Sequence, residues 1–460
     1  MGAYPYMTSQ QIVELLFRTA NKTVFAPETW NDDGIWTDSF GNTYATSSLY
    51  GHGMVDLGAA TEPQGVMSIP TNAGSANTMG SLMSINKVPV TATQLSLPRV
   101  LNSNLSVSLP TTIMGLDDYN RPFPLQTQGL IKQAHRSDQA FKTYFKSFMN
   151  RDQRTIAGVP DKMSFEFKPS STNKNLLGMG VLDINYRFND KASLVFAYRS
   201  DRLDEEKHFE RALANPFLDM RDSYSLTQNF KPNKRWTFKF GATVGKNDFY
   251  EGDEDLNEEY NKSMKAFSSE VDYKLNGNFS LKFLGGLLSE QDSVLGMHGI
   301  GALETETSKT YFAGSGIIYK PVPKLTLSAV YYYGRTEMPE SSGLVSFSDI
   351  MSDAFALDAR YHFEENQMAG IQFSSPLRIK KGSAIFNIPT VRDLYSDTVY
   401  YDQMKVGLKP TAREYDLSFY YEKEAYYYDW RGELMARFHP DHMSDAKPDY
   451  RALFGLSLKY

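Results

Sequence analysis

A chain of 460 residues with 48 basic and 54 acidic side chains, a net charge of -6 and no cysteine excludes several classes of function at once. The charge balance gives no electrostatic footprint for nucleic acid, and the lack of Cys removes disulfide frameworks, thiolate metal sites and cysteine nucleophiles. A mean hydropathy of -0.44, with no apolar run of about 18 residues, rules out a bundle of membrane helices, while 29 Tyr, 29 Phe and 4 Trp are too many for a chain unable to bury a core.

No basic leader followed by an apolar run opens the sequence, so an export signal is expected in a longer parent, upstream of Met1. Thr8 followed by Gln11 reads as a capping box, and Ile12, Leu15, Leu16 and Thr19 then line one face of a helix running to about Ala20. A loop rich in Asn, Asp, Gly and Thr over residues 21–48 leads to a second short helix around residues 54–60. Residues 66–128 are linker-like, with Ser, Thr, Asn, Gly and Pro scattered among short apolar runs. Over residues 130–149 the period turns helical, and Phe141, Tyr144, Phe145 and Phe148 share one stripe.

From about residue 176 onward the chain alternates with period two, the signature of strand. Trp236, Phe238, Phe240, Ala242 and Val244 oppose Thr237, Lys239, Gly241 and Thr243. Phe267, Ser269, Val271, Tyr273 and Leu275 oppose Ser268, Glu270, Asp272 and Lys274, and Phe355, Leu357, Ala359, Tyr361 and Phe363 oppose Ala356, Asp358, Arg360 and His362. The same holds for residues 182–188, 279–283, 325–331, 415–421, 430–438 and 450–460. The longer of these segments match the roughly 9 to 11 residues that a tilted strand needs to cross a bilayer. Their polar faces carry mid-strand charges (Asp183, Arg187, Glu270, Asp272, Asp358, Arg360, Glu433, Arg437), which a water-filled lumen tolerates and a dry core does not. Aromatics gather at segment ends, as at residues 331–333 and 426–428, where a membrane interface favours amphipathic rings. A mainly β fold follows: a transmembrane antiparallel β-barrel of about 12 strands. A soluble β-sandwich is the alternative that periodicity alone leaves open. Residues 370–408 can be parsed as two strands or three.

Two stretches carry a family resemblance. The segment YPYMTSQQIVELLFRTANK and then YGHGMVDLGAATEPQG, ending at Gly65, resemble the end of a subtilisin-like serine protease domain. FSSPLRIKKGSAIFNIP, LKPTAREYDLSFYY, RFHPDH and the terminal LFGLSLKY resemble the β-domain of autotransporters, and MGLDDYNRPF resembles the junction ahead of that barrel. The resemblance implies four parts: residues 1–65, the C-terminal remnant of a subtilase domain; 66–128, a linker or junction; 129–152, a helix in the barrel lumen; and 160–460, the barrel. It implies a Gram-negative outer-membrane protein of type V secretion that exports and anchors a protease passenger, with its N-terminal part at the cell surface. The implied partners are outer-membrane lipid, the barrel assembly machinery and its own passenger, for a monomer. The serine, histidine and aspartate motifs of subtilase catalysis are absent from the sequence, so no catalytic residue, cofactor or metal ligand is assigned. Peptidase activity is expected only of a full-length parent; a surface adhesin or porin-like barrel is the other alternative.

The resemblance also implies roles for two elements. Lys132, Arg136, Lys142 and Lys146 on the expected helix would face acidic lumen residues; an amphipathic surface helix is the plainer alternative. In the last strand, Phe454, Leu456, Leu458 and Tyr460 form the apolar face that such barrels present to the assembly machinery, while the strand closes the sheet against the first. His52, between two glycines, reads as structural rather than catalytic. His439, Asp441 and His442 read as a turn rather than a metal site, and the acidic run over residues 251–260 as a solvated loop.

Overall fold

The computed structural model describes residues 4–25, 30, 34–71, 85–97, 110–133, 154–156, 162–169, 179–199, 213–218, 220–247, 262–339, 343–364, 366–395, 398–426 and 428–458. Its dominant element is one antiparallel wall. β1 (Arg154–Ile156), β2 (Met163–Pro169), β3 (Met179–Asn189), β4 (Ala192–Arg199) and β5 (Met220–Phe230) begin it. β6 (Trp236–Asn247), β7 (Ser263–Lys274), β8 (Phe279–Glu290), β9 (Ser308–Val322) and β10 (Leu325–Glu337) continue it. β11 (Ile350–Glu364), β12 (Gln367–Lys381), β13 (Tyr415–Glu424), β14 (Tyr428–Phe438) and β15 (Asp449–Leu458) complete it. Each pairs with the next, giving a 15-stranded meander. A sandwich would split these strands between two sheets.

The described strands outnumber the expected dozen because several alternate weakly. Gln228 interrupts the apolar row of β5, Ala313 and Ser315 thin that of β9, and Val195 and Ala197 blur the polar face of β4. Short turns such as residues 190–191, 275–278 and 323–324 lie at one end of the wall, and long connections such as 200–219, 291–307 and 382–414 at the other. Residues 370–408 resolve into three strands: β12, and then Ser383–Arg392 and Val399–Gly407, which join Val345–Phe347 in a small sheet of their own. The expected closure of β15 onto the first strands does not occur among the described residues. β1 already occupies the free edge of β2 at Phe165–Phe167, the edge that closure would use.

The N-terminal residues fold onto the long-loop end. Helix α1 (Ser9–Arg18) begins as expected: the Gln11 N–H donates to Thr8 Oγ1 at 3.2 Å and the Thr8 N–H to Gln11 Oε1 at 2.9 Å. Helix α2 (Leu57–Thr61) is capped by Asp56, which accepts from the Ala59 N–H at 2.9 Å. The segment expected as linker instead carries strands. Ser68–Pro70, Lys87–Pro89, Thr112–Leu116 and Pro122–Gln126 make a four-stranded sheet, and Gln94–Leu97 pairs with Met297–Ile300 of a long connection. Its short apolar runs are the reason: Ile69, Leu95, Leu97 and Leu116 are almost wholly buried, and paired strands bury them without stranding backbone donors.

Candidate functional site: a polar wall beneath a sealed end

Cross-strand register decides what each face of the wall can touch, because directly opposed residues share a face. One row runs Phe165, Ile184, Phe196, Leu226, Ala242, Phe267, Leu287 and Tyr311 from β2 to β9. A second runs Trp236, Tyr273, Leu281, Ile317, Ala329, Leu357, Phe373, Leu417, Ala436 and Tyr450 from β6 to β15. Both rows are apolar throughout and many of their members face outward; Phe267 is 57% and Phe454, in a neighbouring row, 63% exposed. From Trp236 to Val244 the band is about 26 Å long at roughly 3.3 Å per residue, or roughly 20 Å along the axis at a tilt of about 40°, near the ~25 Å apolar band of outer-membrane barrels. Aromatic rings edge it at both ends. Trp236 lies 4.4 Å from Tyr273, and Tyr421 4.4 Å from Trp430, near the short turns; Tyr198 lies 4.9 Å from Tyr224, and Phe373 5.5 Å from Tyr415, near the long loops. Such girdles suit the two polar boundaries of a bilayer.

The opposite face is polar and carries linked charges. Lys239 Nζ sits 2.5 Å from Glu270 Oε1 and 3.2 Å from Asp272 Oδ2, and Lys282 Nζ 3.2 Å from the same Glu270 oxygen. Arg199 pairs with Asp183 at 2.6 Å. Tyr420 Oη donates to Asp358 Oδ1 at 2.6 Å, in space left by Gly370, where a Cβ would lie 2.3 Å from the tyrosine ring. Arg437 gathers Glu414 at 2.5 Å, Asp449 at 3.4 Å and Asp416 at 3.5 Å. All eight mid-strand charges read from the sequence lie on this face by register; they are Asp183, Arg187, Glu270, Asp272, Asp358, Arg360, Glu433 and Arg437.

Toward the long loops the same face becomes apolar and is covered. Met264, Leu288, Phe312 and Tyr332 of the wall join Ile69, Leu95, Leu97 and Leu130 of the N-terminal part, and Val294, Met297 and Phe386 of the connections, in one core. Phe217 stacks on Phe312 at 5.5 Å and fills the space above Gly334, where a Cβ would lie 2.4 Å from its ring. Tyr332 Oη donates to the Leu213 carbonyl at 2.7 Å. The polar face of the wall, lined by ion pairs, therefore ends at the loop side in an apolar core.

The hairpin turn at Asp117 to Arg121 fastens the N-terminal part over this core, which seals the loop end. Arg121 is fully buried; it donates from Nε to Asp117 Oδ2 at 2.9 Å and from its two other nitrogens to the carbonyls of Ala60 at 2.5 Å and Glu62 at 2.7 Å, holding the end of α2. Arg18 of α1 reaches Asp118 at 3.2 Å. The Asn120 carbonyl accepts from Tyr6 Oη at 3.2 Å and from Arg392 of the small loop-side sheet, whose guanidinium lies 4.0 Å from the Tyr6 ring centre. Burial pushes the Tyr6 hydroxyl up to about 12 although Arg392 pulls it down. Asn120 takes φ 60° to make the turn.

Of the residues singled out beforehand, Lys132 departs from expectation. Ile131–Gln133 is a strand running parallel to Gln94–Leu97, with Ser96 opposite Lys132, so the start of the expected helix is extended. Leu130 is the reason: it is buried in the seal, and its carbonyl accepts from the Leu95 N–H at 2.7 Å. Arg136, Lys142 and Lys146 lie outside the described residues, as do Tyr460 and the acidic run 251–260. Phe454 and Leu456 stand on the exposed apolar face of β15, Phe454 5.9 Å from Trp430, and Leu458 closes the strand. His52 stacks on Phe17 at 3.6 Å, and burial lowers its pKa. His442 uses both ring nitrogens on backbone, Nδ1 accepting from the Glu414 N–H at 2.9 Å and Nε2 facing the Leu377 carbonyl at 2.9 Å, which leaves neither for a metal. Burial also holds its pKa below the ordinary histidine value. Sequence reading missed the lock at Arg121; its one visible trace is the pairing of Asp117 and Arg121 across a turn.

No family model and no curated protein matches the chain. Among solved structures it is similar to OmpT, an outer membrane protein of Vibrio cholerae, at 10% identity over 66% of this chain and 92% of that one, with a TM-score of 0.34. A bacterial polysaccharide outer membrane secretin aligns at 10% identity over 66% and 87%, TM-score 0.33, and Pseudomonas putida OprB at 11% over 60% and 70%, TM-score 0.30. Likenesses this distant bear on neither activity nor partner.

Proposed function

We propose that the chain is an outer-membrane translocator whose wall spans the bilayer and whose N-terminal part, carried across it, stays docked at the outer face. The observation that carries this is topological. Gln133 ends the N-terminal part within the loop-side seal, whereas Met163 begins β2 beside Tyr186 at the short-turn end. The chain thus changes ends of the wall within about 30 residues, ahead of a wall whose apolar face demands lipid on its outside. Long loops point outward and short turns to the periplasm in outer-membrane barrels, so on this reading the N-terminal part belongs at the cell surface.

The finer assignment, an autotransporter with the end of a subtilisin-like passenger, is part of this proposal. It is supported by apolar side chains left exposed in the N-terminal part, among them Ile35, Leu49, Val55 and Leu57, which a larger α/β domain would cover. On this assignment the chain has no peptidase activity of its own, and casein hydrolysis by the purified protein would overturn it. A plugged, porin-like channel is the second reading, favoured by the apolar core at the loop end of the polar face.

The test places a protease site after Thr127, within the N-terminal part, and a second one in the 232–234 turn. In intact cells added protease should cut the first and spare the second; the reverse pattern, or equal protection of both, would remove the translocator reading. A wall that fails to show heat-modifiable migration in detergent gels would remove the membrane reading itself.

A further inference from the structure

At the loop-side edge of the apolar band, the outer face of β11, β12 and the lead-in to β13 carries cations in excess. Asp353, almost wholly buried, lies across from Arg378 in the sheet. Arg413 pairs with it, Lys380 Nζ stands 3.6 Å away, and Tyr331 Oη donates to it at 3.3 Å. Two cations therefore pair with this carboxylate among the described residues, and Arg378 stands opposite it on the neighbouring strand. Arg378 Nε and Arg413 Nε are both buried yet have no protein acceptor. A buried guanidinium nitrogen without an acceptor costs free energy that a bound anion would recover. Directly below, Phe355, Phe373 and Tyr415 cluster with ring centres 5.5 to 6.5 Å apart, and the Arg413 guanidinium lies 5.4 Å over Phe355.

We propose that Arg378, Lys380 and Arg413 bind the phosphate of a lipid headgroup in the leaflet at the loop end, its acyl chains lying on the aromatic cluster and the apolar band. The chemistry follows from placement. Arginines offer forked donors that match phosphate oxygens, the rings mark the depth of the interface, and Asp353 holds the cluster together without neutralising it. The inference rests on the membrane reading above.

The test is native mass spectrometry of the full chain in detergent, titrated in turn with diphosphorylated lipid A, phosphatidylglycerol and inorganic phosphate. The wild-type chain should retain one phosphorylated lipid. Arg378→Gln and Lys380→Gln should each weaken retention, the arginine change by roughly tenfold or more, while Lys309→Gln, elsewhere on the outer wall, should leave it unchanged. Because Arg413 also anchors Asp353, Arg413→Lys tests it with the charge kept, and loss of the fork should still lower retention. Equal retention by the Arg378 and wild-type chains overturns the proposal, and so does inorganic phosphate at millimolar concentration binding as well as the lipids. If the chain shows heat-modifiable migration but binds lipid indifferently, the headgroup site fails alone; if it never folds in detergent, the membrane reading fails first.

Discussion

Replacing Arg121 with Met should release the N-terminal part from the seal while leaving the wall intact. Both Arg121 and Asp117 have side chains with 0% exposure and stand 2.8 Å apart. Methionine keeps most of the stem's volume but removes every donor. Asp117 would retain only the N–H groups of residue 121 at 2.8 Å and Gln64 at 3.2 Å. Breaking a buried pair by removing one partner costs roughly 3–5 kcal/mol. The carbonyls of Ala60 and Glu62 also lose donors, although Glu62 is exposed and water can replace that bond, so the lower figure of about 3 kcal/mol is the safer expectation. That corresponds to roughly two orders of magnitude in the opening constant. Hydrogen exchange of the full chain in detergent reads this directly. Amides of α2 and of Thr112–Leu116 should exchange about a hundredfold faster at this cost, while those of Trp236–Asn247 stay as they were. Adding Asp117→Asn to the Met variant removes the stranded charge and should restore part of the protection. Unchanged exchange over α2 in the single variant would refute the reasoning, because it would mean that the buried pair is not what holds this hairpin.

Gly370→Ala should push Tyr420 from its place beside Asp358 and cost roughly 1–3 kcal/mol, read as a lower temperature for the heat-modifiable transition; an unchanged transition would show that the wall yields there. Acid should weaken the loop end. His52, His298 and His442 all have pKa values lowered by burial, so the unfolded chain binds more protons between those values and about 6.5. The contribution is complete above about pH 6.5 and lost as pH falls through the folded values, so melting should occur at lower temperature near pH 5 than near pH 7.5, and His442→Gln should flatten the slope; a transition insensitive to acid would contradict this. Deleting Tyr460 should lower the amount of chain assembled in the outer membrane more than it lowers the melting of what assembles; undiminished surface levels would remove the proposed role of β15 in recognition by the assembly machinery.

The wall was legible in the sequence wherever the two faces of a strand differ sharply. The segments around Trp236, Phe355 and Tyr415 fall inside observed strands, as does most of those from Phe267 and Tyr450, and their mid-strand charges fall on the polar face. Where inward positions are Ala or Val, or outward ones Gln or Ser, the period fades, which is why β4, β5 and β9 escaped notice. The N-terminal half was harder for a different reason. Runs as short as Gln94–Leu97 become strands because Ile131–Gln133 and a connection some 200 residues away in the chain pair with them, and no local pattern records those partners. Lys132 shows the same override: the helical period beyond it is real in the sequence, yet Leu130 and Ile131 are captured by the seal.

The candidate site depends on the same division of labour. Periodicity reveals a polar face, but not that its loop-side third is apolar and filled by Phe217, Leu95 and Leu97. A chamber open at both ends would suit continuous passage of solutes. One closed by about two dozen packed side chains would open only by breaking that core, at a cost far above thermal energy given roughly 25 cal/mol for each Å² of apolar surface exposed. The N-terminal strands supply part of that core, so the seal can form only once residues 85–133 have reached the loop end. On the proposed translocator reading, passage of the N-terminal part and formation of this core would be the same event, and the burial free energy of the core would make the passage one-way without any nucleotide.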